Sequence, residues 1–389
     1  MSKNKKEITG TVETEETIGA ENTYAGDPPS ISSKGETVTG YELARLEAYL
    51  QQYKLAGDYE VMEEEGGKNN TTRMVYSGME RYVLRIYDNH KDIAKVRFEH
   101  QVLLELNAHT LDFEIPQPVR NIYGDTVSSG EEGKLAAVYA YLEGERPDRL
   151  RESHISGLGQ ACGNVSRALG QLHLQNKPSY TPYYVLQDNY GHLEKQTMLQ
   201  WVKADIEACE LESMMAELEG IRRRLVELEA AFCKLPRQWI HGDIGFTNAL
   251  ARGEKVTGVL DFEFCTRDLR AMELAVVLPE LITEESSEQS LRQIRLFTEG
   301  FGSKQGLTAE EISYLPDLMQ LRMVDVYLHF AERFRQQLDP LTEWSGHTRR
   351  AAFVCRWIED NRTLLALLFG SCLTGRQVIG FVPEKPYGS

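Results

Sequence analysis

The 389-residue sequence predicts an α+β fold in two lobes, a small β-rich one followed by a larger helical one. Three observations lead there. Residues 59–87 hold three short runs rich in Val, Tyr, Met, Thr and Arg, separated by turn residues, as strands are. One amphipathic segment and two further apolar runs follow. Past a Gly-Glu-Arg-Pro linker at 144–147 the apolar residues recur mostly at helical spacing. Strands gathered in one stretch and helices in another read as α+β.

Residues 1–40 are rich in Glu, Thr, Ser and Gly and carry one aromatic, Tyr24. Such a segment cannot bury enough apolar surface to offset the entropy of ordering, so a disordered N-terminal tail is expected. Its seven acids and four lysines account for −3 of the net charge of −16 and leave −13 to the rest. The N-lobe is expected over 41–143. It starts with a helix at 41–55 and strands at 59–62, 73–76 and 82–87, with Ser77-Gly78 turning between the last two. Val96, Val102, Leu103 and Leu106 give one apolar face to a helix at 91–109. Pro116 and Pro118 break the chain, and strands at 119–123 and 135–141 complete the lobe. The C-lobe, 144–389, has helices expected at 153–176, 195–234, 271–283, 288–301, 308–337 and 345–370, around a short strand pair near 239–261.

Composition excludes several classes. A chain this acidic lacks the basic surplus that neutralises phosphates, so no nucleic acid partner is expected. Six scattered cysteines without a C-x-x-C pair read as reduced thiols and not as a disulfide or zinc framework. There is no H-E-x-x-H and no G-x-S-x-G. The longest apolar runs are too short for membrane insertion, and the N-terminal lysines precede no apolar segment. A cytoplasmic protein is expected, as monomer or homodimer.

The chemistry is concentrated in His241-Gly242-Asp243-Ile244-Gly245-Phe246-Thr247-Asn248 and Val259-Leu260-Asp261-Phe262-Glu263. An Asp, an Asn five residues on and an Asp thirteen beyond that make up a set that phosphoryl transfer requires. One carboxylate handles the proton of the attacking hydroxyl, while an amide and a second carboxylate hold Mg²⁺ on the phosphates. Protein kinases use H-R-D-x-x-x-x-N and D-F-G for this; here Gly242 replaces the Arg and Glu263 the Gly. The H-G-D-x-x-x-x-N motif with its following Asp resembles the aminoglycoside phosphotransferase, choline kinase and type II homoserine kinase superfamily.

That resemblance implies a protein-kinase-like bilobal fold, with ATP and Mg²⁺ as cofactors and a small hydroxyl-bearing acceptor. Asp243 takes the place of the catalytic base, with His241 beside it expected to hold the loop backbone. Asn248 and Asp261 take the places of the metal ligands. Glu263, as in choline kinases, would assist a second metal. In the N-lobe Gly66, Gly67, Asn69, Asn70 and Thr71 resemble the nucleotide loop of type II homoserine kinases, where backbone N–H groups meet phosphate. Arg85 stands where protein kinases carry the strand Lys, and Glu99 fourteen residues later is its ion-pair partner. The 137–144 segment resembles the hinge, whose backbone at Ala140 and Leu142 would pair with adenine. Gly157, Gly159 and Gly163 open a helix without a preceding strand and are set aside as a nucleotide loop. Asp268, Arg270, Arg322 and Asp325 are candidates for the acceptor pocket, together with Tyr184, Trp201, Tyr327 and Trp344. Two other readings stand beside a homoserine-kinase-like or aminoglycoside-phosphotransferase-like enzyme. One is a choline or ethanolamine kinase. The other is a non-catalytic, coat-type structural protein of the same fold.

Overall fold

The computed structural model describes residues 37–374 except 56, 64–69, 89–90, 131–132, 175–179 and 203–205. The expected tail therefore lies outside the described residues up to position 36. Its last four residues, 37–40, belong to the fold instead: Val38 is buried and its N–H donates to the Val61 carbonyl at 2.9 Å.

The N-lobe is a five-stranded antiparallel sheet in the order β1-β2-β3-β5-β4. The strands are β1 (Tyr59–Glu63), β2 (Asn70–Ser77), β3 (Glu80–Tyr87), β4 (Ser128–Ser129) and β5 (Leu135–Ala140). The β2–β3 turn has two central residues, and Gly78 takes the first with φ 62°, a left-handed value that the missing Cβ permits. The alternation of β5 explains how one sheet serves two cores. Ala136 and Val138 face α1 (Gly40–Leu50), packing with Leu46 and Leu50. Leu135, Ala137 and Tyr139 face α2 (Ile93–Leu106), packing in the larger core with Val96, Val102, Leu103 and Leu106.

One expected strand, 119–123, is absent. The Asn121 side chain accepts from the N–H groups of Tyr123 and Asp125, both at 3.0 Å, and this local turn draws the chain out of the ladder.

The C-lobe contains α3 (Glu152–Leu169), α4 (Leu186–Tyr190), α5 (Lys195–Leu199), α6 (Ile206–Phe232), α7 (Met272–Val277), α8 (Ser287–Gly302), α9 (Ala309–Arg335), α10 (Leu341–Asp360) and α11 (Arg362–Leu373). Two short hairpin-like pairs carry the motif region: β6 (Arg237–Ile240) with β9 (Thr266–Leu269), and β7 (Ala249–Arg252) with β8 (Lys255–Val259). The helix expected over 195–234 is divided between α5 and α6, and that over 345–370 breaks at Asn361. The α3 glycines are packing residues. A Cβ on Gly159 would lie 2.1 Å from the Phe297 carbonyl oxygen, and one on Gly300 2.3 Å from that of Ser156, so α3 and α8 cross in backbone contact. No described helix is long and apolar enough to cross a membrane.

Candidate active site

The loop after β6 is held by two anchors. Glu273, at the start of α7 and fully buried, accepts from the backbone N–H of His241 at 2.8 Å and of Gly242 at 3.2 Å. The His241 ring spans to the next strand: its Nε2 meets the Leu260 carbonyl at 2.9 Å, and its Nδ1 accepts from the Asp243 N–H at 3.3 Å. Those contacts require the neutral Nε2–H tautomer. Burial pushes the His241 pKa down to about 4, which keeps the ring neutral. In this arrangement the His241 ring ties the loop backbone at Asp243 to the end of β8.

Asp243 projects from this loop with 32 % of its side chain exposed. Asn248, in a short helical turn before β7, donates Nδ2 to both the Asp243 carbonyl (2.8 Å) and its Oδ2 (3.0 Å). Arg322 on α9 approaches the other oxygen, Oδ1, at 3.4 Å. Burial raises the Asp243 pKa to about 7; Arg322 opposes the rise, and Asp261 and Glu280 add to it. A carboxyl tuned near neutrality suits a proton acceptor.

Asp261 follows β8 in a left-handed conformation, φ 64° and ψ 68°. For a residue with a Cβ this costs about 1–3 kcal/mol, and such strain concentrates at functional sites. Its Oδ1 meets Arg85 Nη2 at 3.0 Å. The same nitrogen holds Glu263 Oε2 at 2.9 Å, and Nη1 faces Glu99 Oε1 at 3.6 Å. One guanidinium on β3 therefore gathers three carboxylates, one from α2 and two from the second C-lobe motif. Asn70 adds a contact to Glu263 at 3.4 Å. Burial raises the Glu99 pKa to about 7; Arg85 opposes the rise, and the neighbouring Asp261 and Glu263 add to it.

The other expected nucleotide contacts divide. Gly66, Gly67 and Asn69 lie outside the described residues. Thr71 is turned to a local task, its N–H and Oγ1 both donating to Asp88 Oδ2 at 2.9 and 2.6 Å. The Ala140 N–H is spent on the Gln117 carbonyl at 3.0 Å, which leaves it no donor for a base. Leu142 makes no backbone hydrogen bond among the described residues, so it retains the expected hinge capacity.

The four acceptor candidates separate in the same way. Arg322 and Asp325 reach the site: Arg322 Nη1 meets Asp325 Oδ2 at 3.2 Å and the Tyr183 hydroxyl at 3.4 Å, and Tyr190 donates to Asp325 Oδ1 at 3.0 Å. Asp268 and Arg270 do not. Asp268 is fully buried and accepts from the N–H groups of Tyr183 and Leu269, both at 2.6 Å. Arg270 makes a buried bidentate pair with Glu311, whose backbone N–H also closes the capping box at Thr308 that starts α9. Both are frame residues. Tyr184, Tyr327 and Trp344 are core as well, and Trp201 packs on Trp344. A cavity of about 580 Å³ lined by Trp201, Phe334 and Pro340 shares no residue with this site.

Sequence reasoning missed Glu273, Glu280, Arg149, Tyr183 and Tyr190. Glu280 pairs with Arg149 at 3.0 Å, and a Cβ on Gly245 of the loop would lie 2.9 Å from its Oε1. Arg149 also covers the Phe246 ring. Only Glu273 had a signal, in Glu-Leu-Ala after the second Asp.

Residues 61–309 match the sequence pattern of the phosphotransferase enzyme family, APH. The chain belongs to this family. It is 25% identical over 295 residues to a homoserine kinase of Methylobacillus glycogenes, covering 75% of this chain and 85% of that one. To a homoserine kinase of Rhizobium etli it is 27% identical over 252 residues, covering 64% and 73%. An amicoumacin kinase solved with AMP-PNP and Ca²⁺ superposes with a TM-score of 0.59 at 15% identity, over 82% of this chain and 94% of that one. A microcompartment-associated aminopropanol kinase gives 0.60 at 16%, over 84% and 99%. These bear out the protein-kinase-like α+β fold. This family member is a kinase for a hydroxyl group of a small molecule.

Proposed function

We propose that this phosphotransferase moves the γ-phosphoryl group of ATP, with Mg²⁺, to the side-chain hydroxyl of a small amino acid, homoserine or a close analogue. The supporting observation is Arg322, which lies between the base Asp243 and the acid Asp325 on the acceptor side. A guanidinium there suits a carboxylate. Asp325 and Glu280 suit an ammonium group. A polycationic acceptor would find an Arg in its way; of the aromatics named for a quaternary ammonium, Tyr184, Tyr327 and Trp344 are buried in the core and Trp201 lines a cavity away from the site. The homoserine kinase relatives point the same way.

The donor set fits Mg²⁺. Asn248 commits its Nδ2 to Asp243, so its Oδ1 has no donor among the described residues, and Asp261 supplies a carboxylate. Two hard oxygens completed by phosphate and water are what this ion takes in such sites. Among the described residues no three His, Cys, Asp or Glu side chains form a metal cage. Four carboxylates, Glu99, Asp243, Asp261 and Glu263, face two guanidinium groups, Arg85 and Arg322, and the surplus is negative. Mg²⁺ bound there would neutralise charge on the phosphates.

The chain's own residues do the rest. Arg85, braced by Glu99, holds the non-transferred phosphates. Asp243 accepts the hydrogen bond of the acceptor hydroxyl, aims its oxygen at the γ-phosphorus and takes the proton as the new P–O bond forms. The bond to the β–γ bridging oxygen breaks and ADP leaves. An ADP-release panel of homoserine, choline, ethanolamine and aminoglycosides tests this, with Asp243→Asn as control. Homoserine should turn over, and the variant should lose about 10²–10⁴-fold in kcat while still binding nucleotide. Turnover of choline or an aminoglycoside in place of homoserine would refute the acceptor class.

A further inference from the structure

We infer that Thr126, His100, Tyr139 and Tyr87 form a one-directional hydrogen-bond relay that positions Glu99, and through it Arg85, for the nucleotide phosphates; this rests on the phosphotransferase reading above. The relay links residues from α2, β3, β5 and the loop before β4. Tyr87 donates to Glu99 Oε2 at 3.4 Å. The Tyr87 and Tyr139 hydroxyls are 2.8 Å apart, His100 Nε2 is 2.8 Å from Tyr139, and His100 Nδ1 is 2.7 Å from Thr126 Oγ1. All four side chains are buried.

Proton counting sets the direction. Arg85 beside it favours the ionised form of Glu99, and in that form the carboxylate only accepts, so the single Tyr87 proton points at it. The Tyr87 oxygen then accepts from Tyr139, whose own proton is thereby used. Tyr139 must accept from His100 Nε2–H, and the free Nδ1 lone pair of that neutral ring accepts from the Thr126 hydroxyl. Every donor in the chain faces Glu99, and donors aligned this way polarise one another. His100 also meets Tyr139 edge-on, ring centroids 5.5 Å apart, so the imidazole has little freedom to turn.

Glu99 needs such support. Its contact to Arg85 is long, 3.6 Å, while Arg85 is drawn the other way by Asp261 at 3.0 Å and Glu263 at 2.9 Å. Of the two Glu99 oxygens, one faces Arg85 and the other Tyr87. Without the Tyr87 donor the carboxylate is held from one side only. Arg85 is then free to remain with the metal-side acids when phosphate arrives. These are positioning residues, and none touches the reacting atoms.

The test compares Mg²⁺·ATP affinity by calorimetry with steady-state kinetics in the full chain. Tyr87→Phe and Tyr139→Phe should each weaken Mg²⁺·ATP binding and raise its KM by on the order of tenfold, with the acceptor KM unchanged. His100→Gln, whose amide can donate to Tyr139 and accept from Thr126, should bind near wild type, whereas His100→Leu should behave as the Phe variants do. In a Glu99→Gln background the Tyr139→Phe effect should vanish, because the relay acts only through that carboxylate. If Tyr139→Phe instead costs the same with and without Glu99, or if His100→Gln and His100→Leu are equally impaired, the relay is refuted and the residues are only structural. Phe variants that bind as tightly as a wild type that binds Mg²⁺·ATP refute the relay alone. A wild type that binds no Mg²⁺·ATP overturns the phosphotransferase reading and the relay with it.

Discussion

His100 supplies a prediction whose size follows from its surroundings. It is buried against β5 and the loop before β4, with both ring nitrogens engaged. Burial lowers its pKa from 6.5 to about 4; Asp125 works against that shift and Arg85 adds to it. The folded state therefore resists protonation while the unfolded chain accepts a proton near 6.5. Stability from this site is fully present above 6.5 and is lost as pH falls through 6.5 toward 4. At pH 5 the unfolded state is almost fully protonated at this residue and the folded state is not, which amounts to about 2 kcal/mol of lost stability. At pH 7 the loss is about a tenth of that. His100→Gln keeps both hydrogen bonds and cannot titrate. The difference in stability between wild type and His100→Gln should therefore move by about 2 kcal/mol in favour of the variant between pH 7 and pH 5. Urea unfolding followed by tryptophan fluorescence at both pH values measures it, and taking the difference between the two proteins cancels every other titrating group. An unchanged difference would mean that His100 is not held neutral by burial, and would refute the reasoning.

Three further outcomes follow from the placement of the charged residues and the helix crossing. Arg322→Ala should raise the acceptor KM by roughly 10–100-fold, the worth of one charged hydrogen-bonded contact, with the ATP KM little changed; a purely nucleotide effect in the kinetics would move the acceptor site elsewhere. Arg270→Ala should cost about 3–5 kcal/mol in denaturant midpoints because it strands the fully buried Glu311, and a variant of normal stability but poor acceptor binding would return Arg270 to the pocket. Gly159→Ala should lower the melting temperature through about 1–3 kcal/mol of overpacking against the Phe297 carbonyl, and an unchanged melt would show that the α3–α8 crossing gives way easily.

The motif pair was legible because its geometry is local. Asp243 and Asn248 sit five residues apart on one loop, and Asp261 closely follows the strand that pairs with β7, so spacing in the chain is nearly spacing in space. The strand at 135–141 and the apolar face of α2 were readable for the same reason, since period and face are fixed by backbone geometry. The N-lobe ion pair of Arg85 with Glu99 was also anticipated, but not the breadth of the cluster, in which one guanidinium serves three carboxylates.

What the linear order could not decide is which of several identical residue types faces the cleft. Asp268 and Asp325 are both acids, Arg270 and Arg322 both arginines, the first of each pair at β9 and the second on α9. The residue types by themselves carry no burial information. Docking of α9 beside β9 turns Arg270 into the interior onto Glu311 and leaves Arg322 facing Asp243. Thr71 and the Ala140 N–H take nearer partners, Asp88 and the Gln117 carbonyl, because a buried or strand-end polar group takes whichever partner packing brings within reach. Glu273 gained its role only when α7 folded back under the loop thirty residues earlier in the chain. Sequence by itself determined the chemistry available and the loop that carries it. Tertiary packing, which sets the desolvation and partner of each charge, decided which charges are left to act on a substrate.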